Sequence, residues 1–221
     1  MVSELLKGYV LHQEAIFRGR HVKRLSFALL LAVTLAGCQM VTTPDPALSA
    51  RDVEYLAKAP KAEINSEYLR YLVDDPTGEP PGTIVIDTKK NFLWFVMPNK
   101  KAIRHGVATG KEAYGWTGTA TVKVKKEWPT WMPTEELMQR WPEFGVYRTH
   151  GPLAGGPDNP LGARALYLFD ASGKDTLYRI HGTNEPEKIG QNVSTGCIRM
   201  RNIDAVDLYN RAGIDTKVIV R

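Results

Sequence analysis

The chain has 221 residues, a formal net charge of +5 and only two cysteines, Cys38 and Cys197. Residues 1–37 hold +3 of that charge, as Lys7, Arg18, Arg20, Lys23 and Arg24 against Glu4 and Glu14, which leaves +2 for the rest. No lysine or arginine run follows, so the composition excludes a nucleic-acid partner, and two cysteines are too few for a disulfide-stapled scaffold.

Taken in chain order, the first feature is a leader. Lys23 and Arg24 precede an apolar run from Leu25 to Leu35, and the run closes on Leu35-Ala36-Gly37-Cys38. Such a run is too short to cross a bilayer, which takes about 20 residues, but it suits a cleaved signal peptide covering 1–37. Cleavage would leave Cys38 as a lipidated N-terminus, with a short uncleaved anchor as the alternative. Acyl chains on Cys38 and its new amine would hold the protein stably at a membrane. The expected place is the periplasmic face of the envelope, and Gln39 after the cysteine favours the outer membrane.

Residues 38–81 read as a lipid-anchored spacer. Thr42-Thr43-Pro44-Asp45-Pro46 is turn-rich, and Asp74-Asp75-Pro76-Thr77-Gly78-Glu79-Pro80-Pro81-Gly82 is a strong breaker. Tyr55, Leu56, Ile64, Tyr68, Leu69, Tyr71 and Leu72 between them allow one or two short helices lying on the following domain.

From Gly82 to Arg221 the pattern is mostly β. Runs at 83–87 and 92–97 flank Thr88-Lys89-Lys90-Asn91 as a hairpin, and further strands are predicted at 102–108, 120–127, 165–170, 176–181 and 217–220. Two helices are predicted. One is short and opens at Pro133-Thr134-Glu135-Glu136; the other starts at Asn202, stops at Gly213 and carries Ala205, Leu208, Tyr209 and Ala212 on one face. The expected architecture is a β-sandwich or partly open barrel with one or two short helices and a mixed α+β periphery.

The chemistry gathers late in the chain. Processing at Cys38 would leave the mature protein one thiol, Cys197, in an oxidising compartment where lone thiols are avoided or used. It lies in Ser194-Thr195-Gly196-Cys197-Ile198-Arg199-Met200, sixteen positions after His181 of Ile180-His181-Gly182-Thr183. Of the three histidines beyond the leader, His105, His150 and His181, the last closes a strand and stands closest to Cys197. His150 reads as an exposed loop histidine. A thiol nucleophile needs a base, a group to hold the base, and donors for an oxyanion. Gly196 would let the backbone turn so that the amides of Gly196 and Cys197 face a cavity. The alternatives are an inert buried thiol, a merely hydrogen-bonded His181, and an Arg199 engaged in a structural ion pair with Asp204 or another acid.

At these residues the chain resembles the L,D-transpeptidase catalytic domain family, often called YkuD. The resemblance rests on His181-Gly182, on Ser194-Thr195-Gly196-Cys197-Ile198-Arg199, and on the stretch from Gly155 to Tyr167. It implies a domain over 82–221 that acts on the peptide stems of peptidoglycan. Cys197 would be the nucleophile, His181 its base and later general acid, and Ser194 the residue whose backbone carbonyl orients the imidazole. Gly196 and Cys197 would supply oxyanion donors. Arg199, with Gly182, Thr183 and Thr195, would border the substrate, and Asn202 falls where the family has an asparagine, with helix capping its plain role. Thr195 replaces a histidine common in the family, which removes a second proton relay. No metal or organic cofactor is implied. The acceptor would be a neighbouring stem, giving cross-linked wall, or a protein amine, giving wall attachment. A hydrolase of stems using water, and a non-catalytic wall-binding lipoprotein with Cys197 silent, are the other readings.

Overall fold

The computed structural model describes residues 41–110, 116–194 and 196–221, with backbone alone at Ser194. The leader, Cys38 and Thr195 lie outside the described residues.

The elements in chain order are β1 (Val41–Thr42), α1 (Ala50–Lys58), a 3-10 turn at Ser66–Tyr68, β2 (Tyr71–Asp74), β3 (Ile84–Asp87), β4 (Phe92–Met97), β5 (Lys101–Gly110) and β6 (Gly118–Glu127). After them come α2 (Glu135–Arg140), α3 (Tyr147–His150), β7 (Arg164–Phe169), β8 (Asp175–His181), β9 (Asn192–Ser194), β10 (Ile198–Met200), α4 (Asn202–Arg211) and β11 (Lys217–Val220). The fold is mostly β, as the sequence predicts.

Pairing runs β5-β10-β8-β7-β6-β11-β3-β4, and β4 pairs back onto β5. The expected partly open barrel is therefore a ring of eight strands, whose edges are used up in pairing. Alternate apolar residues line its interior: Ile84 and Ile86, Leu93 and Phe95, Leu166 and Leu168 are all buried. One apolar face of α4, formed by Ala205 and Leu208 with Ala212 just beyond its end, packs onto this core. Lys125 holds the open carbonyls at the C-terminus of α4, reaching Tyr209 O at 2.7 Å and Ala212 O at 2.6 Å.

The segment read as a spacer is part of the fold. β2 pairs antiparallel with residues 101–104 of β5 on the edge that β10 occupies further along at 107–108, and β1 adds to β2. Two buried ion pairs fix it. Ser49 and Asp52 form a reciprocal capping box on α1, and Arg164 grips the Asp52 carboxylate with two bonds of 2.8 Å. Arg70, 4% exposed, bonds Asp204 of α4 and Asp45, each at 2.9 Å. The short-helix option in this segment corresponds to α1 and the 3-10 turn.

Asn202 does not cap α4. The cap position is Arg201, with no side-chain bond to the helix N-terminus, and Asn202 points elsewhere.

Candidate active site

β10 runs parallel to β8, with Ile198 opposite Ile180 and Arg199 opposite His181. That register sets Cys197, the residue before β10, across from Arg179. His181 ends β8 between two strands, opposite Ala165 of β7 on its other side, and is 5% exposed. Cys197, just before β10, and His181, at the end of β8, thus belong to neighbouring strands.

Gly196 turns the chain into this position. Its φ is +128°, in the region glycine adopts freely and other residues only with strain. Ser194 ends β9, opposite Gly110 of β5.

The sulfur is half-buried and receives the backbone N–H of Arg179. Burial pushes the thiol up from its ordinary range; the Arg179 amide and the charges of Arg179 and Arg199 oppose that rise without cancelling it. Burial also drives His181 down to about 3, reinforced by the Arg199 charge and weakly opposed by a bond to Gly182. Both shifts favour the neutral thiol and the neutral imidazole over a thiolate and an imidazolium.

The imidazole tautomer is fixed by a carbonyl. Nδ1 lies 2.6 Å from Gly182 O. A carbonyl can only accept, so Nδ1 carries the proton and Nε2 is left with the lone pair of a base. The oxygen described on the ring is that of Gly182. A backbone oxygen belongs to whichever residue the chain path brings near, and residue type carries no signal of it.

Two arginines flank the pair. Arg199 bonds Glu185 at 2.6 Å, so its acidic partner is Glu185 rather than Asp204. Arg179 grips Asp175 with bonds of 2.7 and 2.8 Å and lies 4.2 Å from the Tyr167 ring centroid. Sequence reasoning missed Arg179, although a strand period of two puts it on the same face as His181. Tyr178 is also close enough to feel the Cys197 charge, and its ring stacks on Trp116 at 5.7 Å.

Thr183 is 2% exposed and its hydroxyl accepts the Glu185 N–H at 2.9 Å. It shapes the loop that carries the Arg199 partner. Gly182 is buried too, with its N–H on Arg164 O at 3.0 Å. His150 is exposed at the end of α3, as expected. His105 is fully buried inside the fold, away from this cluster, with Asp207 Oδ2 3.7 Å from its Nε2.

Comparison with known proteins finds relatives of this sequence. The family model for the L,D-transpeptidase catalytic domain, YkuD, matches residues 81–220. The protein named as the L,D-transpeptidase YqjB of Bacillus subtilis is 36% identical over 151 residues, covering 66% of this chain and 76% of that protein. ErfK/SrfK of Escherichia coli, named as an L,D-transpeptidase, is 33% identical over 140 residues, covering 61% of this chain and 42% of that one. A solved L,D-transpeptidase of Enterococcus faecium, a cysteine-to-serine mutant, aligns with TM-score 0.47 at 17% identity over 64% of this chain and 50% of its own.

Proposed function

We propose, from the premise that the chain belongs to the L,D-transpeptidase catalytic domain family, that it transfers peptidoglycan stems by cysteine acyl chemistry. The observation that carries the reading is the pairing of β8 with β10, which sets Cys197 beside a His181 whose tautomer is already that of a base.

The reaction runs in two halves. As Cys197 Sγ attacks the carbonyl between the third stem residue and its terminal D-alanine, His181 Nε2 takes the thiol proton. Attack and proton transfer coincide because the neutral pair is the favoured state. The backbone amides of Gly196 and Cys197 hold the oxyanion. Collapse breaks the peptide bond, and the imidazolium hands its proton to the departing D-alanine amine. An imidazolium this deeply buried, with arginines on two sides, gives that proton up readily. A thioester remains. The amine of a second stem or of a protein attacks it, His181 takes the amine proton, and the sulfur leaves and is reprotonated. Arg199 is the residue for a substrate carboxylate, because its partner Glu185 is nearly half exposed and exchangeable.

Incubating leaderless protein with disaccharide tetrapeptides and resolving the products by mass tests this directly. Joined stems are expected; trimmed stems alone would make the protein a hydrolase. We also propose that Cys38 is lipidated and tethers the domain at the periplasmic face of the envelope, the outer membrane favoured. Cys38→Ala should then move the protein from the membrane fraction to the soluble one; unchanged fractionation would contradict the anchor.

A further inference from the structure

We propose that Asn202 is a positioning residue for the catalytic imidazole, acting through a single peptide plane. The inference deepens the acyl-transfer reading and rests on it for its kinetic arm.

The carboxamide of Asn202 is fully oriented. Its Oδ1 accepts from Ala163 N and from Thr183 N, each at 3.0 Å, and its Nδ2 donates to Thr183 O at 2.9 Å. The Thr183 N–H belongs to the same peptide unit as the Gly182 carbonyl. A trans peptide is planar, so its N–H and C=O point in opposite directions, and none of the described peptide bonds is cis. Asn202 therefore grips one end of the plane whose other end receives His181 Nδ1. Rotation of that plane would take the carbonyl off the ring and release the tautomer. A bond donated by the N–H also polarises the amide and makes its carbonyl a better acceptor.

The surrounding chain is cut to fit this side chain. A Cβ on Gly162 would lie 2.1 Å from Asn202 Oδ1, and one on Gly182 would lie 2.2 Å away. Gly162 in addition has φ +60°. Only glycine at both positions lets the amide reach in. The Ala163 bond ties the residue before β7 to the loop after β8, so the strand that carries His181 is stapled at its end to its neighbour β7. Asn202 begins α4, and the helix thereby carries a contact that its own N-terminus does not use.

The test compares two variants with different losses. Asn202→Ala removes every bond. Asn202→Asp keeps an acceptor for Thr183 N–H and loses only the donor to Thr183 O. If the carboxamide positions the imidazole, Asn202→Ala lowers kcat by about 100-fold, as a misplaced catalytic group does, with the donor KM within about twofold. Asn202→Asp then recovers most of kcat although its Tm is lowered as well. Nitrogen NMR of the His181 ring gives a readout independent of turnover. The Nδ1-protonated tautomer is expected in the wild type and in Asn202→Asp, and a tautomer mixture in Asn202→Ala. A kcat that follows Tm across both variants overturns the inference, as does an unchanged tautomer in Asn202→Ala. If Asn202→Ala fails to fold, loss of the Nδ1-protonated form in folded Asn202→Asp overturns it equally. A tautomer shift in a protein that transfers no stems supports the clamp and counts instead against the transpeptidase reading.

Discussion

At the scale of single residues, the site depends on two groups kept neutral. Burial lowers His181 to about 3 and raises the Cys197 thiol, so their reactive neutral pair exists across the whole range from mild acid to mild base. Acylation of Cys197 by a carbapenem should therefore show a rate constant that is flat from pH 5 to pH 8. A limb near 6.5, where an ordinary histidine titrates, would mean an ion-pair mechanism instead. Cys197, His181 and Gly196 stand out in the sequence because each type carries the chemistry the proposal calls on: a thiol, an imidazole and a residue free at positive φ. The Gly182 carbonyl and the buried Thr183 do not. Their roles come from where the backbone passes, which no side chain announces.

At the scale of elements, the N-terminal segment is a brace for the catalytic strands. Asp52 of α1 joins Arg164 at the head of β7, next to His181, and also receives Trp128 Nε1 at 2.8 Å. Removing one partner of a buried ion pair leaves the other charge stranded. Asp52→Ala should thus lower unfolding free energy by about 3–5 kcal/mol in urea titration; a loss below about 1 kcal/mol would show the brace to be idle. A chain begun at Gly82 strands Arg164, and also bares residues 101–104 of β5, and should fail to fold cooperatively. The strands themselves were readable from apolar runs between turn residues, and α2 from Thr134, whose hydroxyl caps Leu137 N at 3.2 Å. The brace was not readable. Asp52 and Arg164 stand 112 positions apart, and Arg70 and Asp204 stand 134 apart. Local composition sees only the prolines and glycines around them.

At the scale of the whole molecule, a closed ring with buried titratable groups has a definite acid response. His105 is pushed down to about 4, mainly by burial, with the nearby Asp204 opposing and Arg70, Arg211 and Arg201 reinforcing. His181 is lowered further still. The unfolded chain protonates both below about 6.5 while the folded one does not, so stability is full above that pH and falls as pH drops. The fall continues to about pH 4 for His105 and to about 3 for His181. Each contributes about 1.4 kcal/mol per pH unit within its window. Asp52 behaves differently. Burial would raise its carboxyl, but Arg164, Ser49 and Trp128 hold it well below the usual range, so its contribution is lost only below about pH 4. His105→Phe should make the decline between pH 6 and 5 shallower by about that same slope in chemical denaturation; an unchanged slope would show that His105 is not buried neutral. The overall mostly β class followed from strand-length apolar runs, whereas ring closure by β4 and β5 rests on long-range register that periodicity does not encode.

The most direct measurement is the intact mass of leaderless protein mixed briefly with a disaccharide-tetrapeptide donor and quenched in acid. The account predicts an adduct on Cys197 equal to the donor less its terminal D-alanine, absent in Cys197→Ala. Release of D-alanine by Cys197→Ala at the wild-type rate, with no adduct on either protein, would contradict it.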